Sequence, residues 1–286
     1  EEGYSTYLIA DEVERLLRRH DSSKPFFMYV PFNAVHGPHQ APREVLKKYD
    51  GRGAQQAAQL ECMDIGIGRI LDALEENGFA ENTLVIFFND NGGPRAIGNA
   101  PYRGCKGEFY EGGVRVTCTM RWPGEIRPGS SVNEPLHVVD LYPTLIKLAG
   151  GSLDQKLPID GLDAWRTVSR GKPSPRHEIV YNIPGSPRSP VPAIRQGDIK
   201  LAGEELFDVV QDPYEKKDLA DDYPGKVKEL QKRLRELAEQ RRQPEEHRGI
   251  PGYPTPIYGE EENKPPLPDW LQELAEENKQ NAKKKR

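Results

Sequence analysis

Three short stretches of the sequence carry side chains able to hold a charged ligand. Asp90-Asn91-Gly92-Gly93 follows the apolar run Thr83–Phe88 after the single residue Asn89. A carboxylate and an amide oxygen are hard donors suited to Ca²⁺ or Mg²⁺, and calcium takes about 6–8 oxygens, so the pair needs further ligands from elsewhere. Asn-Gly after an apolar run is also a plain hairpin signal. The ligand reading rests on position, because open parallel sheets bind their ligands beyond the carboxyl ends of the strands.

His36, in Ala34-Val35-His36-Gly37-Pro38-His39, lies just past the apolar run Phe26–Val30. Alone it reads as a surface histidine. If the two apolar runs are parallel neighbours, His36 and Asp90 end on one sheet edge, and His36 can donate to an anion or act as a general acid. His39 has less to commend it. Lys106 sits in Arg103-Gly104-Cys105-Lys106-Gly107, ahead of Glu111-Gly112-Gly113-Val114-Arg115. The plain reading is a solvated lysine in a glycine-rich turn. The functional one is a cation clamping a tetrahedral oxyanion, with glycines permitting close backbone approach. No sequence cue activates Cys105 as a nucleophile, so packing is the expected role.

The flanking sequence supplies elements to position these groups. Leu8, Ile9, Val13, Leu16 and Leu17 predict a helix over 6–19. Phe26–Val30 predicts a strand buried on both faces. Leu60, Met63, Ile67, Ile70, Leu71 and Leu74 predict a helix over 57–77, ended by Asn77-Gly78. Thr83–Phe88 is the strongest strand signal, and strand, loop, helix, strand suggests a βαβ unit with a parallel sheet. A short strand over 114–120 and a helix over 138–148 follow. Residues 170–192 read as a connecting loop, followed by short strands at 193–195, 200–201 and 206–207. Val227, Leu230, Leu234 and Leu237 mark a charged surface helix with one buried face, too short for a coiled coil. From Gln243 the chain is Pro-rich and charged, with one short helix expected over 270–277.

Composition sets outer limits. The 286 residues suffice for one or two domains. With 30% charged and 36% hydrophobic residues the chain is polar, but 8% aromatics argue against global disorder. A net charge of -5 carries no nucleic-acid signature; only Lys283–Arg286 forms a basic run. No stretch approaches the ~18 apolar residues of a membrane span. Cys62, Cys105 and Cys118 lack zinc spacing and do not form a disulfide framework.

Taken in order, the stretches closely resemble the type I sulfatases of the alkaline-phosphatase superfamily. Further matches are Val138-Val139-Asp140-Leu141-Tyr142-Pro143-Thr144-Leu145, Asp160-Gly161, the segment Ala193–Leu201, Glu205-Leu206-Phe207-Asp208 and Asp212-Pro213-Tyr214-Glu215. The text around 160–182 is most like the arylsulfatase B group, and the resemblance covers about residues 1–240. It implies an α/β alkaline-phosphatase-like sandwich with a mainly parallel central sheet, present in part, plus a small C-terminal antiparallel sheet with a packed helix. The expected division is a catalytic part over 1–169, a connecting loop and α+β subdomain over 170–242, and a tail over 243–286. The implied activity is hydrolysis of a sulfate ester, on a sulfated glycan or an aryl sulfate, with Ca²⁺ or Mg²⁺, outside the cytoplasm. Asp90 and Asn91 would then be metal ligands, and Lys106 and His36 would contact the sulfate group and assist departure of the leaving oxygen.

One feature departs from the family pattern. The family's nucleophile is a formylglycine made from a Cys/Ser-x-Pro-x-Arg motif, and no such motif occurs in these residues. The Asp pair that completes the metal site is also not found. The expectation is a C-terminal portion of a sulfatase, inactive by itself. A phosphatase or phosphodiesterase of the same superfamily would place more His and Asp for two metals. A non-catalytic binding module with this fold is the remaining alternative.

Overall fold

The computed structural model describes residues 3–184 and 191–240. The expected tail over 243–286, with its short helix, lies outside the described residues. Helix α1 (Ser5–Arg19) and helix α3 (Ala54–Glu76) pack together, with the short helix α2 (Arg43–Leu46) between them in sequence. Ala10, Val13 and Leu17 are the buried apolar stripe of α1. On α3 the buried stripe includes Ala58, Cys62 and Gly66, small residues four apart that let a neighbour approach closely. Leu60, expected on this face, turns outward at 51% exposure. Gly78 ends α3 as expected. At φ +73° it takes the left-handed conformation, its N–H donates to Glu75 O (3.0 Å), and the Phe79 N–H donates to Leu74 O (2.8 Å). This closure turns Phe79 onto the cluster of Val13, Leu17, Ala73 and Leu74.

The run Phe26–Val30 is extended but forms no strand ladder among the described residues. Phe26, Met28 and Val30 pack on the α1–α3 cluster, whereas Phe27 and Tyr29 are 78% and 76% exposed. The expected burial on both faces is therefore corrected. The period-two alternation buries one face only.

Strand β1 (Val85–Phe88) joins the same cluster through Val85. After the loop that follows it come helix α4 (Glu111–Val114) and strand β2 (Cys118–Arg121). The expected strand over 114–120 thus begins later, because Val114 belongs to α4. Strand β2 pairs antiparallel with β1, from Val85↔Arg121 to Phe88↔Cys118. Among the described residues the parallel βαβ pairing expected of Phe26–Val30, α3 and Thr83–Phe88 is not formed, because the first of these runs makes no strand ladder.

A 3₁₀ turn (Val138–Asp140) leads into α5 (Leu141–Leu148), so the expected helix splits in two at Asp140. Helix α6 (Trp165–Arg170) and strand β3 (Glu178–Asn182) fall in a stretch the sequence left without elements. Strand β3 opens an antiparallel sheet ordered β3, β4 (Ala193–Gln196), β5 (Ile199–Ala202), β6 (Glu205–Asp208). Helix α7 (Pro224–Glu239) covers it, with Leu230 and Leu234 buried against Ile194, Leu201 and Leu206. Each such leucine contributes about 1.5–3 kcal/mol of burial. Arg233 on α7 pairs both its Nε and Nη2 with Glu178 at 2.9 Å, tying the helix to β3. Among the described residues no helix is long and apolar enough to cross a membrane.

Candidate functional site

Two loops meet beyond the end of β1. In the first, Asp90 is exposed and Asn91 half-buried. Asn91 Oδ1 is buried with no hydrogen-bond partner among the described residues, which leaves an acceptor unused. Gly92 then passes against the second loop, donating its N–H to Gly113 O at 3.0 Å. A Cβ on Gly92 would stand 1.9 Å from Gly112 O, so only glycine lets these backbones touch.

The second loop, 103–113, carries Lys106. Its backbone N–H donates to Gly93 O at 3.0 Å, while its side chain is exposed. Asn99 braces both loops. Its Oδ1 accepts the Gly93 N–H (2.7 Å), and its Nδ2 donates to Gly93 O (2.9 Å) and Gly104 O (3.1 Å). Cys105 is buried, and its backbone N–H and thiol both donate to Glu108 Oε2. Burial, and then the Glu108 carboxylate, push the thiol up from its ordinary range. This fits packing and disfavours a thiolate nucleophile.

The base of the second loop is fixed to the C-terminal sheet. Arg103 lies over the Tyr110 ring, 3.9 Å from its centroid, and forks onto both oxygens of Glu205 at 3.1 and 3.2 Å. The Tyr110 hydroxyl donates to Glu205 as well. Burial, followed by that bond, pushes the phenol up to about 12.

His36 occupies a separate turn. Its N–H donates to Asn33 O (2.9 Å) and its Nδ1 lies 2.9 Å from Gly37 O, which can only accept, so the proton is on Nδ1 and Nε2 is left over. The ring borders a cleft of about 330 Å³ shared with Tyr4, Asn33 and Gln59. His39 Nδ1 lies 2.9 Å from Gln59 Oε1 and so helps brace this turn. Among the described residues no hydrogen bond or ion pair joins His36 to Asp90, Asn91 or Lys106. The structure thus brings Lys106 and the 90–93 loop together and leaves His36 on its own loop.

Among the described residues no cluster of three or more His, Cys, Asp or Glu stands ready for a metal. Asp90 and Asn91 fit a hard cation by donor type, and the unpartnered Oδ1 of Asn91 agrees with that use. They supply only part of a coordination shell. Sequence reasoning missed the bracing residues Asn99, Arg103, Tyr110 and Glu205. Of these, Arg103 and Tyr110 stood inside the glycine-rich stretch, where two large side chains among small ones were the available signal.

The sulfatase family model matches residues 1–152. Arylsulfatase J of Mus musculus is 33% identical over 287 residues, covering 81% of this chain and 48% of the relative. A sulfatase of Formosa agariphila is 42% identical over 153 residues, 47% of this chain and 28% of the relative. The crystal structure of Ps i-CgsB aligns with a TM-score of 0.77 at 26% identity, covering 85% of this chain and 57% of that one. The chain spans about half the length, or less, of these curated relatives.

Proposed function

The chain belongs to the sulfatase family, with the α/β alkaline-phosphatase-like fold of its structural neighbours, and on that premise we propose that it serves the hydrolysis of sulfate monoesters outside the cytoplasm. The substrate class is a sulfated glycan or an aryl sulfate. Asp90 and Asn91 would hold part of a Ca²⁺ or Mg²⁺ shell. The bound ion would neutralise charge on the sulfate oxygens. Lys106 sets its ammonium against a sulfate oxygen, adding a second positive charge where negative charge gathers as the S–O bond breaks. His36, with Nδ1 engaged by Gly37, offers Nε2 to the ester and as imidazolium delivers a proton to the departing oxygen.

The observation that carries this reading is the bond from Lys106 N–H to Gly93 O, which docks the cation's loop on the loop of the metal-ligand pair. The 286 residues contain no formylglycine precursor motif, so turnover depends on a nucleophile they do not supply. The purified chain is expected to leave 4-nitrophenyl sulfate intact and to bind Ca²⁺ only weakly by calorimetry. Joined in one polypeptide to a sulfatase segment bearing Cys-x-Pro-x-Arg and matured, it is expected to turn the ester over. Lys106→Ala should then cost about 10²–10³ in kcat. Rapid hydrolysis by the 286 residues alone, or an unaltered rate in Lys106→Ala, would sink the proposal.

A further inference from the structure

Three charged side chains lie together in the interior, away from the exposed Lys106. Lys200, on β5, has a side chain with 0% exposure. Its Nζ stands 3.0 Å from Glu111 Oε1 and 2.9 Å from Glu215 Oε1, the latter at ion-pair distance but outside hydrogen-bond geometry. The two carboxylates are 4% and 0% exposed. Glu215 also accepts the Glu111 backbone N–H through Oε2 at 2.6 Å. To reach this position Glu215 adopts φ +54°, a left-handed conformation that strains a residue with a Cβ.

Such a group is a poor device for stability alone. Well-packed apolar side chains of the same volume hold a core at least as well, since every buried charge must first be taken out of water. Its value lies in what it fixes. Glu111 opens α4 and is followed at once by Gly112 and then Gly113. The Gly112 N–H donates to Arg103 O at 2.6 Å, and Gly113 O accepts the Gly92 N–H. Holding Glu111 therefore fixes both ends of the 103–113 loop and the face on which Gly92 and Gly93 rest. The loop's tip is Lys106.

We propose that Lys200 and Glu215 are positioning residues. They anchor Glu111 from the C-terminal sheet and thereby seat the Lys106 loop against Asp90-Asn91-Gly92-Gly93. The inference rests on the reading of Lys106 as the sulfate-holding cation. It assigns the small antiparallel sheet a part in building the site, through residues that touch neither ester nor metal.

Hydrogen exchange, read by mass spectrometry on the 286-residue chain, tests this without any turnover, so its failure and a failure to hydrolyse sulfate esters are separate results. Lys200→Met should speed exchange of the Lys106 and Gly92 amides at least tenfold and leave the amides of β4 and β5 as they were. Lys200→Arg, which keeps the charge, should restore part of the loop's protection. If Lys200→Met does not fold, Glu215→Gln keeps the shape and should give the same local acceleration. Unchanged loop amides in the folded variant, or acceleration spread evenly through β3–β6, would overturn the proposal, the second outcome marking a merely structural role.

Discussion

The backbone N–H of Lys106 donates to the carbonyl of Gly93 at 3.0 Å, so the exposed cation and the Asp90-Asn91 pair belong to one hydrogen-bonded unit. Backbone groups and the Asn99 side chain, not the charged side chains, hold the two loops together. On the proposed reading, that makes the glycines and Asn99 as important to the site as the charged residues.

Gly92→Ala is the sharpest probe of the loop contact. Its methyl would meet Gly112 O at 1.9 Å, a backbone atom that cannot swing aside, whereas a Cβ on Gly93 meets the Asn99 side chain at 3.0 Å. Gly92→Ala should therefore destabilise the fold by about 1–3 kcal/mol, the usual cost of overpacking, with Gly93→Ala milder. Urea unfolding of both variants checks this, and equal midpoints would contradict it.

Asn99→Ala tests the brace. It removes an acceptor and a donor that together serve the Gly93 N–H, Gly93 O and Gly104 O. A loss of about 1–3 kcal/mol is expected, the cost of leaving part-buried backbone groups unpaired. In the same variant the Gly93 amide should exchange faster. A Gly93 amide protected as in the unaltered chain would show that the brace is dispensable.

How far the sequence foretold this arrangement depends on the physics of each element. Helices α1, α3 and α7 were legible from apolar spacing, since a helix that buries one face must repeat its apolar residues near 3.6. The exposure of Phe27 and Tyr29 was not, because an unbroken apolar run reads alike whether one face is covered or two. Lys200 was hidden for the opposite reason: between Ile199 and Leu201 it reads as the solvent side of a strand, yet it is fully buried. Its partner Glu111 lies 89 residues off and Glu215 beyond the next strand, and single-sequence patterns are blind to such pairings. Residue type and loop position suggested which residues would touch a ligand, while those that hold their loops gave no such signal.

Asp140 and Arg176 supply a pH-dependent part of stability. Arg176 forks onto Asp140, whose side chain is 4% exposed, and the N–H groups of Leu162 and His137 also donate to it. Burial works to raise the Asp140 carboxyl, but the guanidinium and the two N–H donors outweigh it and hold the group below the usual carboxylate range. A depressed acid contributes stability above its unfolded value, about 3.9, and loses it as pH falls through the folded value. Asp140→Asn should cost about 3–5 kcal/mol at pH 7, where it leaves the buried Arg176 charge without a counter-ion and with only the Glu178 and Asp160 carbonyls to accept from it. The gap to the unaltered chain should narrow below about pH 4. Chemical unfolding at pH 7 and pH 3 measures it, and a gap of constant size would count against the assignment.

His137 governs a different window. Its Nδ1 accepts the Val139 N–H at 3.2 Å, capping the 3₁₀ turn before α5, which requires Nδ1 to be unprotonated. Burial, then the nearby Arg176 charge, lower its pKa against the opposing pull of Asp140. A histidine with a depressed folded value is protonated first in the unfolded chain, so stability falls as pH drops below the unfolded value of about 6.5 and levels off beneath the folded one. His137→Asn keeps a cap acceptor, because an asparagine oxygen serves that position well, and removes the titration. The variant should therefore match the unaltered chain near neutral pH and exceed its relative stability toward pH 5. Parallel unfolding curves of the two proteins across that range would mean that the cap does not titrate with folding.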